Sequence, residues 1–217
     1  WNAVRFALLN LDGASFEATD PNQLLFEDRW VLSRLTFAID TTHKELTGYN
    51  PAAAISAARD FFWSDFCDWY LEMDKRPERS AEDNRVLAYA FTTLLKLLHP
   101  YIPFVTEALW DKFGQESMLA VAPWPISREY SFQESHWKLE LVREAISQIR
   151  TLREKARFGL NQQTDAFIDT CMHADVFQTH REMIMQLCRL NELNVREVKA
   201  EPRGETLESY FSNSLVR

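Results

Sequence analysis

At 217 residues, 46% hydrophobic and 13% aromatic with only five glycines, the chain can bury one large core or two small ones and is too glycine-poor for a β-sandwich or a glycine-loop enzyme. Its net charge of −8 excludes holding nucleic acid by bulk charge, so any RNA contact would need a local patch. No apolar run reaches the ~18 residues of a membrane span and no signal segment opens the chain, while three scattered cysteines (Cys67, Cys171, Cys188) fit a reducing cytoplasm.

In chain order, Trp1, Val4, Leu8 and Leu11 share a helical face that Asp12-Gly13 stops, with Arg5 beside it. Trp1 in place of methionine, already inside an apolar pattern, reads as a piece of a longer protein. After a turn at Asp20-Pro21-Asn22, a helix is predicted from about 28 to 46, with Val31, Leu35, Ala38, Ile39, Thr42 and Leu46 inward. One step round from that stripe lie Trp30, Arg34, Phe37 and Thr41. Gly48 to Pro51 breaks the chain before an aromatic helix over roughly 53–75. There Ile55, Ala58, Phe62, Phe66, Trp69 and Met73 form the expected inner side, and Asp65, Asp68 and Glu72 the wet one.

Beyond the charged linker 75–79, Ser80-x-x-Asp83 has the form of a capping box for a helix that aligns Leu87, Phe91, Leu94 and Leu98. His99-Pro100 ends it, Pro103 opens the next helix, and Gly114 closes that one. An irregular stretch through Pro123-Trp124-Pro125 leads to a second box, Ser131-x-x-Glu134. A long helix then runs to about 157 with Val142, Ala145, Ile149, Leu152 and Ala156 inward. After Phe158-Gly159 the period changes: a strand over 164–171, an amphipathic helix over 175–189 and a strand over 193–199. The expected fold is mainly α, a helical bundle over 1–158 followed by a small, cut-short strand–helix–strand α/β unit over 159–217. The tail from Pro202 carries no clear pattern.

Charge is uneven along this layout. Residues 1–136 carry 12 Lys/Arg against 20 Asp/Glu, residues 137–217 carry 12 of each, and 143–157 hold five basic residues against two acidic. No GxGxxG, GxxxxGK[ST] or GxSxG motif is present. Asp40-x-x-His43 occurs once, too little for a di-metal bundle, and Cys171, His173, His180 and Cys188 match no zinc spacing, so no metal is expected. His99 reads as a helix-end residue and Cys67 as a small core residue. Two features point to RNA. Arg29 and Trp30, with Arg34 and Arg5, would set guanidinium groups beside an indole, as suits an unpaired base. Arg143, Arg150, Arg153 and Arg157 form a basic stripe that could follow phosphates, with Ile146 at its seam. Against both stands the plainer explanation, an indole covering the bundle's edge and arginines in water.

Ordered runs carry a resemblance. They are Trp1-Asn2-Ala3-x-Arg5-Phe6, Asp28-Arg29-Trp30-x-Leu32-Ser33-Arg34-Leu35, Phe62-Trp63-x-x-Phe66-Cys67-Asp68-Trp69-Tyr70-Leu71-Glu72 and Leu97-Leu98-His99-Pro100-x-x-Pro103-Phe104-x-Thr106-Glu107-x-Leu109-Trp110, then Ala122-Pro123-Trp124-Pro125 and Ile149-Arg150-x-Leu152-Arg153. Together they resemble the C-terminal anticodon-binding region of class I aminoacyl-tRNA synthetases, the valyl-tRNA synthetases in particular. The isoleucyl or another class I branch, and a helical interaction scaffold that binds no RNA, are the alternatives. The resemblance implies a parent that uses ATP and magnesium in a catalytic domain to join valine to its tRNA. This piece has neither the HIGH motif nor the KMSKS loop, and no editing domain, so it is expected to bind tRNA without acylating it. It would need no cofactor, DNA or membrane, and its partners would be the anticodon stem-loop and the parent's catalytic domain in cis. By the same resemblance Arg5, Arg29 and Trp30 lie by the anticodon.

Overall fold

The computed structural model describes residues 24–75, 80–114, 117–127, 132–159 and 162–198, plus the backbone of two short strands at 209–211 and 214–216. The helix expected around Trp1 to Leu11, Arg5 with it, and Ser131 of the second capping box lie outside the described residues. The chain divides into two compact units, Trp1–Ser135 and His136–Arg217.

The first unit is helical. Helix α1, Phe26–Thr47, buries Val31, Leu35, Ala38, Ile39 and Thr42, as its spacing predicts, and also Trp30 and Leu32. Asn50 caps α2, Pro51–Asp60, by accepting from the Ala53 N–H at 3.3 Å, with Pro51 in the first turn. Without a break, α2 continues as a π-helical stretch, Phe61–Tyr70, and a last α turn, Leu71–Met73. Most π-helix occurs as single-turn bulges, so ten residues of it is unusual.

The expected inner stripe holds at Ala58, Phe66 and Met73, which are buried, and fails where that winding intervenes. The i→i+5 bonds, such as Leu71 N–H to Phe66 O, turn the helix more slowly than the period assumed. Phe61, Asp65, Phe66 and Tyr70 therefore face in, while Phe62 and Trp69 are only half-buried and Trp63 is 63% exposed. Asp65, expected in water, is buried. Phe66 packs edge-on against Phe91 with centroids 4.8 Å apart at 87°, a contact worth about 0.5–1.5 kcal/mol beyond its area.

Helix α3, Ala81–Leu98, begins at the predicted box: Asp83 N–H donates to Ser80 Oγ at 3.1 Å, and Ser80 N–H to Asp83 Oδ2 at 2.8 Å. Helix α4, Pro103–Trp110, starts on its proline and winds into a 3-10 turn. Gly114 then closes it at φ 66°, where a side chain would be strained. Cys67 is half-buried, and burial, then the Asp68 carboxylate, push its thiol up to about 11.

The second unit is an α/β layer. Helix α5, Gln133–Lys155, starts at its edge and buries Leu139, Val142, Ala145, Ile146, Ile149 and Leu152. Ile146, read as a seam residue, is fully buried. Arg150, Arg153 and the Ile146 carbonyl find partners in 162–188, and most of α5 falls in the second unit, whose start at His136 is earlier than the 158 expected from the change of period. Strands β1, Thr164–Thr170, and β2, Leu190–Glu197, pair in parallel. Asp169 faces Arg196 in register and accepts its Nε and Nη2 at 2.8 and 2.9 Å, a bidentate cross-strand pair. The predicted connecting helix is two: α6, Ala174–Thr179, and α7, Arg181–Cys188, separated at His180. Phe177, Ile184 and Cys188 are buried, and the Cys188 thiol is pushed up to about 12 by burial. The tail adds a hairpin, β3, Ser209–Phe211, and β4, Ser214–Val216, giving the order β2-β1-β4-β3. No helix among the described residues is long and apolar enough to cross a membrane.

Candidate nucleic-acid interface

At the start of α1 the chain folds around a buried carboxylate. Asp28 is fully buried; its Oδ2 accepts from the Leu25 N–H at 3.3 Å and its Oδ1 from the Tyr70 hydroxyl at 2.8 Å. An acid in the first helical turn suits the positive end of the helix, and here it also ties α1 to the π-helical stretch. Arg29 follows, half-buried, its Cζ 5.9 Å from the Phe132 ring centroid. Its Nε is buried without a hydrogen-bond partner. An unmet buried donor is uncommon in folded proteins.

Two expected site residues make contacts within the protein. Trp30 is 0% exposed and so offers no face to a base; the first turns of α1 are enclosed on more than the one predicted stripe, and the indole fills that core. Arg34 donates through Nε to Asp65 Oδ2 at 2.7 Å and lies 5.4 Å from the centroid of Phe37, which is itself exposed. Through Nε its guanidinium joins α1 to the carboxylate that the π winding turns inward, while the side chain stays 30% exposed. The exposed indole of this unit's aromatic run is Trp63. Sequence reasoning missed it because its position depends on the winding of the helix, which no local motif states.

The run from His99 to Trp110 is also structural. Thr106 has one hydroxyl hydrogen, directed to the Ile102 or Pro103 carbonyl at 3.0 and 3.1 Å, so it accepts from His99 Nδ1–H at 2.8 Å. Glu107 accepts the Leu119 and Ala120 N–H groups at 2.7 and 3.3 Å, and Trp110 Nε1–H donates to Ser117 O at 2.8 Å. Both side chains fasten the loop after α4. His99 is thus more than a helix end: it is one member of a fixed network.

In the second unit the basic stripe is largely employed. Arg143 pairs with Glu140 at 2.8 Å. Arg150 donates through Nε and Nη2 to Leu187 O at 3.3 and 3.1 Å. Arg153 donates through Nη1 to Thr164 Oγ1 and through Nη2 to Gln162 O at 2.6 Å. Among the described residues Arg157, exposed in a left-handed turn at φ 57°, is the stripe's member without a side-chain partner. Cys171, His173, His180 and Cys188 stand apart in role. Cys188 Sγ–H contacts Ile146 O at 3.8 Å, His173 lies 5.0 Å from Trp137 by ring centroids, and Cys171 is exposed. Burial and the Lys138 charge hold His180 below the usual imidazole range. No group of three His, Cys, Asp or Glu among the described residues could hold a metal ion.

A family described as "Anticodon-binding domain of tRNA ligase" matches residues 28–168, from Asp28 into β1. The chain is also similar to proteins named valine–tRNA ligase. It is 35% identical to that of Bacillus licheniformis over 179 residues, 78% of this chain and 20% of that protein. Against Anoxybacillus flavithermus it is 34% identical over 205 residues, 89% of this chain and 23% of the relative. Against Solibacter usitatus it is 32% identical over 225 aligned positions, 100% of this chain and 25% of the relative. The chain therefore spans a quarter or less of the length of these relatives. With the match covering both the Asp28 anchor and the His99–Trp110 network, the chain belongs to the anticodon-binding domain family of tRNA ligases.

Proposed function

We propose that this chain is the anticodon-recognition module of a valine–tRNA ligase. It would hold the anticodon stem-loop in the cytoplasm while a catalytic domain elsewhere in the same protein, using ATP and magnesium, joins valine to the tRNA. The observation that carries this reading is the family match over 28–168, in a chain similar along most of its length to valine–tRNA ligases. No residue here is assigned to ATP, to metal or to acyl transfer, and the chain alone is not expected to acylate tRNA.

Within this reading Arg29 is the favoured RNA contact of the first unit. It is a half-buried guanidinium at the start of α1 with no carboxylate partner among the described residues, and the buried Asp28 and Trp30 on either side fix its backbone. By the family resemblance Arg5 is a further proposed RNA contact. In the second unit Arg157 is the exposed phosphate contact, while Arg150 and Arg153 act from fixed positions, spending donors on backbone carbonyls and keeping their charge.

A titration of the chain with a valine anticodon stem-loop RNA across a salt series tests this. Binding should weaken steeply with salt. In Arg29→Gln the slope of log affinity against log salt should fall by about one unit if that side chain meets a phosphate. A slope identical to that of the unaltered chain would remove Arg29 from the interface.

A further inference from the structure

Trp30 is sealed in the core, yet a ring beside a guanidinium recurs two turns further along α1. Phe37 is 60% exposed, and the Arg34 guanidinium lies over one side of its ring, 5.4 Å from the centroid. A lone exposed phenyl is ordinary on a protein surface; one held under an anchored guanidinium is a more specific arrangement. Tyr49, Trp63 and Phe104 are also exposed rings of the first unit, and none of them has a cation over it among the described residues.

The anchor is Asp65. Its buried carboxylate accepts from Arg34 Nε at 2.7 Å and so fixes the plane of the guanidinium. That bond spends a single N–H and leaves the donors of the terminal nitrogens. Among the described residues Nη1 and Nη2 make no hydrogen bond, in a side chain that is 30% exposed. The π winding that turns Asp65 inward thus also sets a guanidinium with open donors above Phe37. Arg29, Ser33 and Phe37 are spaced by four along α1 and share one side of it, with Arg34 beside that row. Asp40, exposed one turn beyond Phe37, would repel a phosphate there, which leaves the Arg34 side for it.

We propose that Arg34 and Phe37 form a stacking platform for a single unpaired base of the bound RNA. The base lies on the open side of the Phe37 ring and its phosphate meets Arg34 Nη1 and Nη2. Aromatic rings support splayed-out bases, and the guanidinium fork matches a phosphate. This platform rests on the RNA-binding reading above and adds to it a residue, Phe37, and a mode of contact. The test uses the 217-residue chain and stem-loop RNA with the valine anticodon, carrying the fluorescent base 2-aminopurine at one loop position at a time. Binding should change the emission at one loop position. In Phe37→Leu that change should vanish and affinity should fall about tenfold, as the loss of one stacked base implies. Phe37→Trp should restore both, and the urea midpoint should stay put in each variant because residue 37 is exposed. Phe104→Leu makes the same replacement at a ring with no cation over it and should bind like the unaltered chain. Arg34→Lys keeps the charge and loses the fork; it should weaken binding too, and its loss combined with that of Phe37→Leu should be less than the sum. Affinity indifferent to Phe37→Leu, an equal loss in Phe104→Leu, or strictly additive losses overturn the platform, and salt-dependent binding that persists then spares the anticodon module. If the unaltered chain does not bind the stem-loop, the module falls and the platform with it.

Discussion

Replacing Trp30 with alanine is expected to lower the stability of the first unit by about 3–5 kcal/mol, the range for emptying a large, fully enclosed aromatic site. The indole is 0% exposed. Trp30→Phe, which keeps an aromatic ring in the cavity, should lose much less. Urea unfolding measures both, through the midpoint at unchanged slope. The protein that remains folded should bind stem-loop RNA as tightly as the unaltered chain. A stacking indole behaves in the opposite way: stability barely moves and RNA affinity drops by about 1–3 kcal/mol. That second pattern would return Trp30 to the interface.

Asp28→Ala is the next largest effect. The carboxylate accepts from Tyr70 across to the π-helical stretch and from Leu25 at the entrance to α1. Removing it takes the carboxylate acceptor from a buried phenol hydroxyl and from the Leu25 N–H at the helix start. A charged hydrogen bond of about 1.5–3 kcal/mol plus a cap of about 1 gives a loss of roughly 3 kcal/mol. Tyr70→Phe alone should lose about 1–2 kcal/mol, and almost nothing once Asp28 is already alanine, because the pair acts together. Strictly additive losses in the double variant would mean that this contact does not join α1 to the π-helical stretch.

Legibility followed the range of the signal. The capping box at Ser80, the proline start at Pro103 and the glycine stop at Gly114 lie where their residues place them, since each acts on its own turn. Strands β1 and β2 were readable as strands, though β2 begins at Leu190 rather than 193, and their parallel pairing was not stated by any local pattern. The winding of residues 61–70 was not readable, because a 3.6-residue period is assumed before any stripe is drawn, and no short motif announces i→i+5 bonding. From that one unreadable feature come the inward turn of Asp65, its hold on Arg34, and the exposure of Trp63. The hairpin of β3 and β4 depends on pairing with β1 rather than on local pattern, so the tail showed nothing in sequence.

The candidate site divides the same way. Arg29 was picked out correctly as lying at the entrance to α1, yet nothing in Arg29-Trp30 says which side chain turns inward. Burial turns Trp30 inward, while Arg34 pairs through Nε with Asp65 and keeps 30% of its side chain exposed. The stripe of Arg150, Arg153 and Arg157 was visible as spacing, whereas the carbonyls that occupy the first two lie on segments distant in sequence.

Whether this fold discriminates anticodons is decided most directly by competition. Labelled stem-loop RNA bearing the valine anticodon, bound to the 217-residue chain at fixed salt, is displaced by unlabelled stem-loops that differ only in the anticodon bases. The account predicts that the valine loop competes at least several-fold better than the isoleucine loop, by the 1–3 kcal/mol typical of one base contact. Equal displacement by every loop, or no displaceable binding at all, would contradict it.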